Sequence, residues 1–266
     1  MIERSHGDVT LLSFESLEAV PRLVHAVTTR PQNYAPHRGS GREEAVHWRR
    51  RVCEVLGMPF ESLTSPEQVH GADVLSLEPG DVGRGRDGRH GAIAFVDGLM
   101  TDMPNVPLVI LSADCPLILV YDPDRPAVGV VHASWRGTVA GAADNLVKQM
   151  VRSYGSDPAR MRAAISPSAG PCCYEVGPHV RRIAKTRLAD ADNCFVEQGG
   201  RVLFDLWTAN RDQLAAAGVP SQAIEIAGLC SICDRRFWSH RRDGAEAGRT
   251  ALFVGLRGPL AFNDRA

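Results

Sequence analysis

The chain has 266 residues, a formal net charge of −1 and 23% charged residues, a balance that excludes the strongly basic surface of a nucleic-acid binder. Apolar residues make up 44%, enough for a sizeable core, and no apolar run reaches the roughly 18 residues of a membrane span. Seven cysteines, an odd number in a chain of this size, point to reduced thiols in a cytoplasmic protein, and residues 1–6 lack the apolar core of a signal peptide.

Alternating runs at 9–12 and 24–29 predict strands. The stretch 30–41, rich in Pro, Gly, Asn and Ser, predicts a loop. Residues 43–56 predict a helix, because Ala45, Trp48, Val52 and Val55 recur at steps of three and four, with Gly57 as its stop. Arg49, Arg50 and Arg51 read as a solvated face of that helix. Strand signals dominate from 64 to 131. The continuous apolar runs 108–111, 117–121 and 128–131 fit strands buried on both faces. Helices are predicted at 138–154 and 206–217, with strands at 223–226 and 251–254. No repeat or linker interrupts this order. The expectation is one α+β domain over 1–266, with sheets packed together and covered by helices.

Two motifs carry little by themselves. Gly83-Arg84-Gly85-Arg86-Asp87-Gly88 matches GxGxxG, but it lies outside the strand-to-helix context of a dinucleotide fingerprint and reads as a flexible loop. Cys230-Ser231-Ile232-Cys233 is one half of a structural zinc site, with no second CxxC and no HxxxH to complete it. It reads as two partly buried thiols near a site.

Three other segments do carry chemistry. They are Gln68-Val69-His70-Gly71, Ser112-Ala113-Asp114-Cys115-Pro116 and Val131-His132-Ala133-Ser134-Trp135-Arg136-Gly137. Each sets one metal-capable side chain where an apolar run meets a Gly- or Pro-marked turn. Two imidazoles and a thiolate suit zinc and leave a fourth position for water. Copper also accepts this donor set. Asp114 is a candidate base or hydrogen-bond partner. A metal-free alternative uses Cys115 as nucleophile with His70 or His132 as base.

Taken together, these segments resemble the multicopper polyphenol oxidase (laccase) domain family, of the purine nucleoside phosphorylase and peptidoglycan editing factor type. The resemblance extends through Asp97-Gly98-Leu99-Met100-Thr101-Asp102, Gly170-Pro171-Cys172-Cys173-Tyr174-Glu175-Val176-Gly177, Asp205-Leu206-Trp207-Thr208-Ala209-Asn210 and Ser239-His240-Arg241-Arg242-Asp243-Gly244. It implies a four-layer α/β/β/α architecture and zinc at His70, Cys115 and His132. The implied activities are phosphorolysis of adenosine, inosine, guanosine and methylthioadenosine, and deamination of adenosine. The partners are then a small nucleoside and phosphate, with no nucleic acid or membrane and no protein partner specified. Under this resemblance Arg241 and Arg242 grip phosphate as a fork. Arg30, in the retained Thr28-Thr29-Arg30, and Glu175 join them as substrate-binding candidates. Glu175 pairs with an arginine or relays a proton, and Trp135 and Tyr174 are expected in the core. The same resemblance leaves open a hydrolase that removes misplaced L-serine from a peptidoglycan precursor, and a copper-loaded phenol oxidase. A laccase-type electron chain needs more histidines in ligand motifs than His70 and His132. A non-catalytic protein that kept the fold is a further alternative. The chain departs from the family pattern at Ser134, expected to narrow the cavity where Gly is usual, and near Ser166 and Ser168. It departs again at His240, where Tyr is common, and over 31–41, which replaces a glycine-rich stretch.

Overall fold

The computed structural model describes residues 1–36 and 41–258; positions 37–40 of the expected loop lie outside them. The chain starts with strands β1 (Ile2–His6) and β2 (Val9–Ser13), a short helix α1 (Glu15–Glu18) and β3 (Leu23–Thr28). Helix α2 (Arg42–Leu56) follows and stops at left-handed Gly57, as its periodicity predicts. Next come β4 (Val74–Ser76), β5 (Gly98–Thr101), β6 (Leu108–Ser112), β7 (Leu117–Asp122) and β8 (Ala127–His132).

The expected helix over 138–154 is broken in two. Helix α3 (Trp135–Val139) ends at Ala140, Gly141 turns left-handed at φ 86°, and α4 (Ala142–Tyr154) begins beyond it. An apolar period cannot register one left-handed residue, which glycine adopts without steric cost. The remaining elements are β9 (Arg162–Ile165), α5 (Pro178–Lys185), β10 (Phe195–Gln198), β11 (Arg201–Phe204), α6 (Leu206–Ala216), β12 (Ile224–Ile226), α7 (His240–Asp243) and β13 (Thr250–Leu256). The β10–β11 hairpin was not foreseen, because exposed residues 196–198 give it no apolar run.

The larger strands form two sheets. One is antiparallel, in the order β1-β2-β3-β13-β6; the other is mixed, in the order β12-β9-β7-β8-β5-β4. Side chains alternate across each strand, so neighbouring residues serve different layers. Leu12, Val27, Ile110 and Leu252 of the first sheet meet Leu99, Leu119, Val130 and Ala164 of the second. The outer face of the first sheet, with Leu11, Ala26, Val109 and Phe253, packs on Val52 and Cys53 of α2. The outer face of the second, with Met100, Ile118, Val131 and Ile165, packs on Leu146 and Met150 of α4 and Leu214 of α6. The layers therefore run helix, sheet, sheet, helix. Both faces of the 108–111, 117–121 and 128–131 runs are covered, which explains their unbroken apolar character. Among the described residues, no helix is long and apolar enough to cross a membrane.

Glu225 ties the edge strand β12 to α1. Its carboxylate accepts hydrogen bonds from the Glu15 and Ser16 backbone N–H groups at 3.2 and 2.8 Å and from the Ser16 hydroxyl at 2.6 Å. Burial alone would raise its pKa, but the Ser16 and Glu15 hydrogen bonds hold it below its ordinary 4.5. A depressed folded-state pKa stabilises the protein above the unfolded value, and that stability is lost as pH falls through the folded one. Glu225→Gln is therefore expected to be less stable than the parent in denaturant titrations at about pH 6. The gap should narrow steadily as the pH is lowered below about 4.5 and through the folded-state value; a gap that stays constant would contradict this role.

Candidate metal centre and active site

The site lies where the two sheets exchange chain. β6 belongs to the first sheet and β7 to the second, so the turn between them, 113–116, crosses from one to the other and carries Cys115. Leu117 pairs with His132 in the β7–β8 register, which sets Cys115 two residues from the position opposite His132. His70 comes from the loop before β4 and sits at φ 65°. Asp114 sits at φ 93°. Backbone strain of this kind in non-glycine residues persists only where surrounding contacts enforce it.

Asp97, just before β5, supplies that enforcement for the His70 loop. Its buried carboxylate accepts from the backbone N–H groups of Val69, His70 and Gly71 at 3.1, 3.0 and 2.6 Å, and meets His132 Nδ1 at 2.8 Å. Its own carbonyl accepts from His132 N–H at 2.9 Å. Gly137 lets the same loop close down, since a Cβ there would stand 2.5 Å from the Gly71 carbonyl oxygen.

The donor atoms of His70, Cys115 and His132 lie within 4.8 Å of one another. Tetrahedral bonds of about 2.0–2.3 Å need donors roughly 3.3–3.8 Å apart, so a metal ion fits this triad. With Nδ1 held by Asp97, His132 has Nε2 left for a metal, and such a carboxylate partner fixes the ring and raises its basicity. Burial works against a charged His132, but Cys115 and Asp97 beside it outweigh that and raise it to about 9. Partial desolvation of the exposed His70 by the cavity wall lowers it, and the neighbouring His132 lowers it further, which favours the neutral imidazole. Burial alone would raise Asp97, yet its hydrogen bonds with His132 and the backbone hold it below the usual carboxylate value.

The three donors line a cavity of about 740 Å³ together with Gln68, Asp114, Tyr174, His240, Arg241 and Arg249. That volume is typical of a small-molecule site, roughly 300–1,000 Å³. Arg241 is exposed in it: its Nη1 donates to the Glu175 carbonyl at 2.8 Å, and its guanidinium lies 5.3 Å from the Tyr174 ring centre. The 8%-exposed Asp114 accepts from Arg241 N–H and the Ser231 hydroxyl, each at 2.7 Å.

Other candidates stand elsewhere. Arg242 is held by Asp243 and by the carbonyls of Ser231, Ile232, Asp234 and Phe237. Arg30 pairs with Asp243 at 3.3 Å and stacks over Trp238 at 4.1 Å. The Glu175 side chain is exposed, and none of these three lines the cavity. Ser134 does not narrow the cavity: it is 1% exposed and its hydroxyl caps α3 by accepting from Gly137 N–H at 3.1 Å. Trp135 and Tyr174 both pack with the α5 cluster, as expected, and Tyr174 also lines the cavity.

Arg49 corrects the reading of a solvated helix face. It is 1% exposed and donates to the carbonyls of Tyr34, Gly85 and Arg86 at 2.9, 2.9 and 3.0 Å. It thereby binds α2 to the GxGxxG segment, which is a loop as expected but a fastened one. Asp97, Arg49 and Arg249 are the site residues that pattern reading missed. Asp97 had a signal at the head of the Asp97-Gly98 motif, and Arg49 had one in its helical register, four residues after Ala45 and three before Val52.

Residues 25–257 match the family described as multi-copper polyphenol oxidoreductase laccase. The chain belongs to this family. Among its relatives, it is 38% identical over 228 residues to "Purine nucleoside phosphorylase YlmD" of Geobacillus stearothermophilus, covering 85% of this chain and 83% of that protein. It is 34% identical over 204 residues to "Adenosine deaminase RL5" from an unknown prokaryotic organism, covering 76% and 77%. The crystal structure of YlmD from Geobacillus stearothermophilus superposes with a TM-score of 0.88 at 34% identity, covering 96% of this chain and 98% of that one. The four-layer mixed α+β arrangement is thus shared with a solved relative.

Asp97→Asn keeps the shape of the side chain but removes the charge that holds the two candidate ligands, His70 and His132. Metal affinity, measured by competition with a chromophoric chelator, is expected to fall about 10–100-fold. Unchanged affinity would show that Asp97 only fastens the loop.

Proposed function

We propose that this chain is a zinc-dependent purine nucleoside phosphorylase that also deaminates adenosine. The observation that carries the reading is the open His70–Cys115–His132 triad in a cavity walled by Arg241 and Arg249. The names of its relatives point the same way. Zinc rather than copper suits the site, because two nitrogens and one thiolate are its usual donors. A copper electron chain needs further histidine clusters, and among the described residues the only other metal-capable group is made of cysteines. Thiol ligands also fit a reducing cytoplasm, where we locate the enzyme.

Zinc bound there would supply Lewis acidity and activate water near neutral pH. In phosphorolysis, a phosphate oxygen bonds to the anomeric carbon as the bond to the purine nitrogen breaks, and the purine takes up a proton. Arg241 and Arg249 are the groups for holding the phosphate dianion and the charge that develops on it. Tyr174 offers a face for the base. His240, whose Nδ1 is engaged by the Gly244 carbonyl at 2.9 Å, has its other ring nitrogen for proton transfer. Asp114 acts by position: it holds Arg241 through the backbone and keeps the Cys115 turn in its strained form. In deamination, water adds at C6 of adenine and ammonia leaves, with no need of the phosphate subsite.

The zinc-loaded protein, incubated with adenosine, should release adenine and ribose 1-phosphate only when phosphate is present, and inosine with or without it. Cys115→Ala should lose its zinc and both activities by at least about 100-fold. Arg241→Ala should raise the KM for phosphate about 10- to 100-fold, the scale of one charge-assisted hydrogen bond, with deamination nearly unchanged. Absence of purine products from a fully zinc-loaded sample would overturn the proposal. Equal losses of both activities in Arg241→Ala would remove the phosphate role.

A further inference from the structure

The CxxC at 230–233 has its missing half. Cys172 and Cys173, which stand side by side in sequence, meet Cys230 and Cys233 so that all four sulfurs lie within 4.8 Å of one another. Cys173 Sγ is 3.1 Å and Cys172 Sγ 3.6 Å from Cys233 Sγ. All four are free thiols. We propose that these four cysteines form a second, structural zinc site, separate from the His70–Cys115–His132 triad.

Geometry and chemistry both favour a metal. Four thiolates around zinc at about 2.3 Å stand roughly 3.8 Å apart, close to the spacing seen. The backbone is shaped to present them. Cys173 and Tyr174 both donate their N–H to the Gly170 carbonyl at 3.0 Å, a turn that sends neighbouring side chains toward one point. Asp234 N–H closes the CxxC turn on the Cys230 carbonyl at 2.8 Å. The Gly170 N–H points at Cys230 Sγ at 3.3 Å, and the Ile232 and Cys233 N–H groups also face that sulfur. Amide donors aimed at a buried sulfur stabilise a thiolate, the form that binds metal. The Arg242 guanidinium, donating to the carbonyls of Ser231, Ile232 and Asp234, lends positive charge to the same loop. Zinc binding would release the thiol protons and leave a charged site that these dipoles and this cation favour.

The site would join two loops that the catalytic triad depends on. Ala169 N–H donates to the Asp114 carbonyl at 2.7 Å, and Ser231 OH to the Asp114 carboxylate at 2.7 Å. One loop leads into Cys172 and the other lies inside the CxxC, so both rest on the residue next to Cys115. A metal among the four sulfurs would lock Tyr174 and Asp114 in place without touching substrate.

The test counts metal in the full-length protein, purified without chelator. Wild type should carry close to two zinc ions per chain. His70→Ala/His132→Ala and Cys172→Ser/Cys233→Ser should each carry about half of that. Cobalt substitution provides a second readout that needs no folded cysteine variant. The His70→Ala/His132→Ala protein should keep the intense near-ultraviolet charge-transfer bands of four thiolates on one tetrahedral ion. One zinc per wild-type chain, lost with the two histidines, would overturn the proposal if Cys172, Cys173, Cys230 and Cys233 all then reacted freely with a thiol reagent. A disulfide found by mass among these four, or iron with labile sulfide, would overturn it too. Because the count is made without substrate, it stands or falls independently of the phosphorylase reading.

Discussion

Four hydrogen bonds converge on the Asp97 carboxylate, and the site depends on them. Three come from consecutive backbone N–H groups around His70 and one from the His132 ring. A buried anion with four donors stays ionised, and its charge stands directly behind the His132 ring while its geometry sets the His70 loop. The left-handed backbone of His70 serves the same contact: it turns three successive amides toward one carboxylate. β5 pairs with β8 in a register that sets Gly98 opposite Val131, so the sheet itself brings Asp97 to the foot of His132. The sheet thus orients both histidines toward Cys115 through a residue outside the triad.

The opposite wall of the cavity is assembled by a second polar network. Asp114 collects the Ser231 hydroxyl and the Arg241 amide, and Arg242 gathers the carbonyls of the loop between them. Arg241 is thereby presented to the cavity by its neighbours. The two adjacent arginines have different surroundings despite their shared motif: one faces space, the other is enclosed by carbonyl oxygens. A half-buried cation of the second kind is tolerated because Nε, Nη1 and Nη2 all find oxygen partners. Arg49, fully enclosed on the far side, meets carbonyls through Nε and Nη1.

The layered fold was legible because its strands announce themselves. Runs such as 108–111 have no polar face to spare, and the packing gives each neighbouring residue a different helix or sheet to meet. His70, Cys115 and His132 were legible because each is metal-capable and flanked by turn residues at a strand boundary. Asp97 was less so. Its partners are backbone amides 26 to 28 positions away, and no side-chain pattern records a backbone amide. Arg49 sat in a run of three arginines that reads as charge turned to water, yet it shares the helical face of Ala45, Val52 and Cys53, where the carbonyls of Tyr34 and of a loop 36 residues further on meet it. The pairing of Cys172 and Cys173 with the CxxC was hidden by spacing, because two adjacent cysteines do not resemble half a zinc motif until a turn folds them together. Arg30 and Arg242 show the converse: proximity in a motif did not amount to proximity in the cavity.

The position of β13 bears on how the protein is made. This strand, the last among the described residues, lies between β3 and β6 in the first sheet, and residues 240–249, which complete the cavity wall, immediately precede it. On a growing chain, His70, Cys115 and His132 have all emerged well before β13 exists. Until it arrives, β3 and β6 have no common neighbour and each exposes an unpaired edge, the kind of surface that invites wrong partners. The nascent enzyme thus has the three side chains of its candidate metal site in hand while its cavity is still open and its first sheet is still divided. Insertion of the final strand closes both at once.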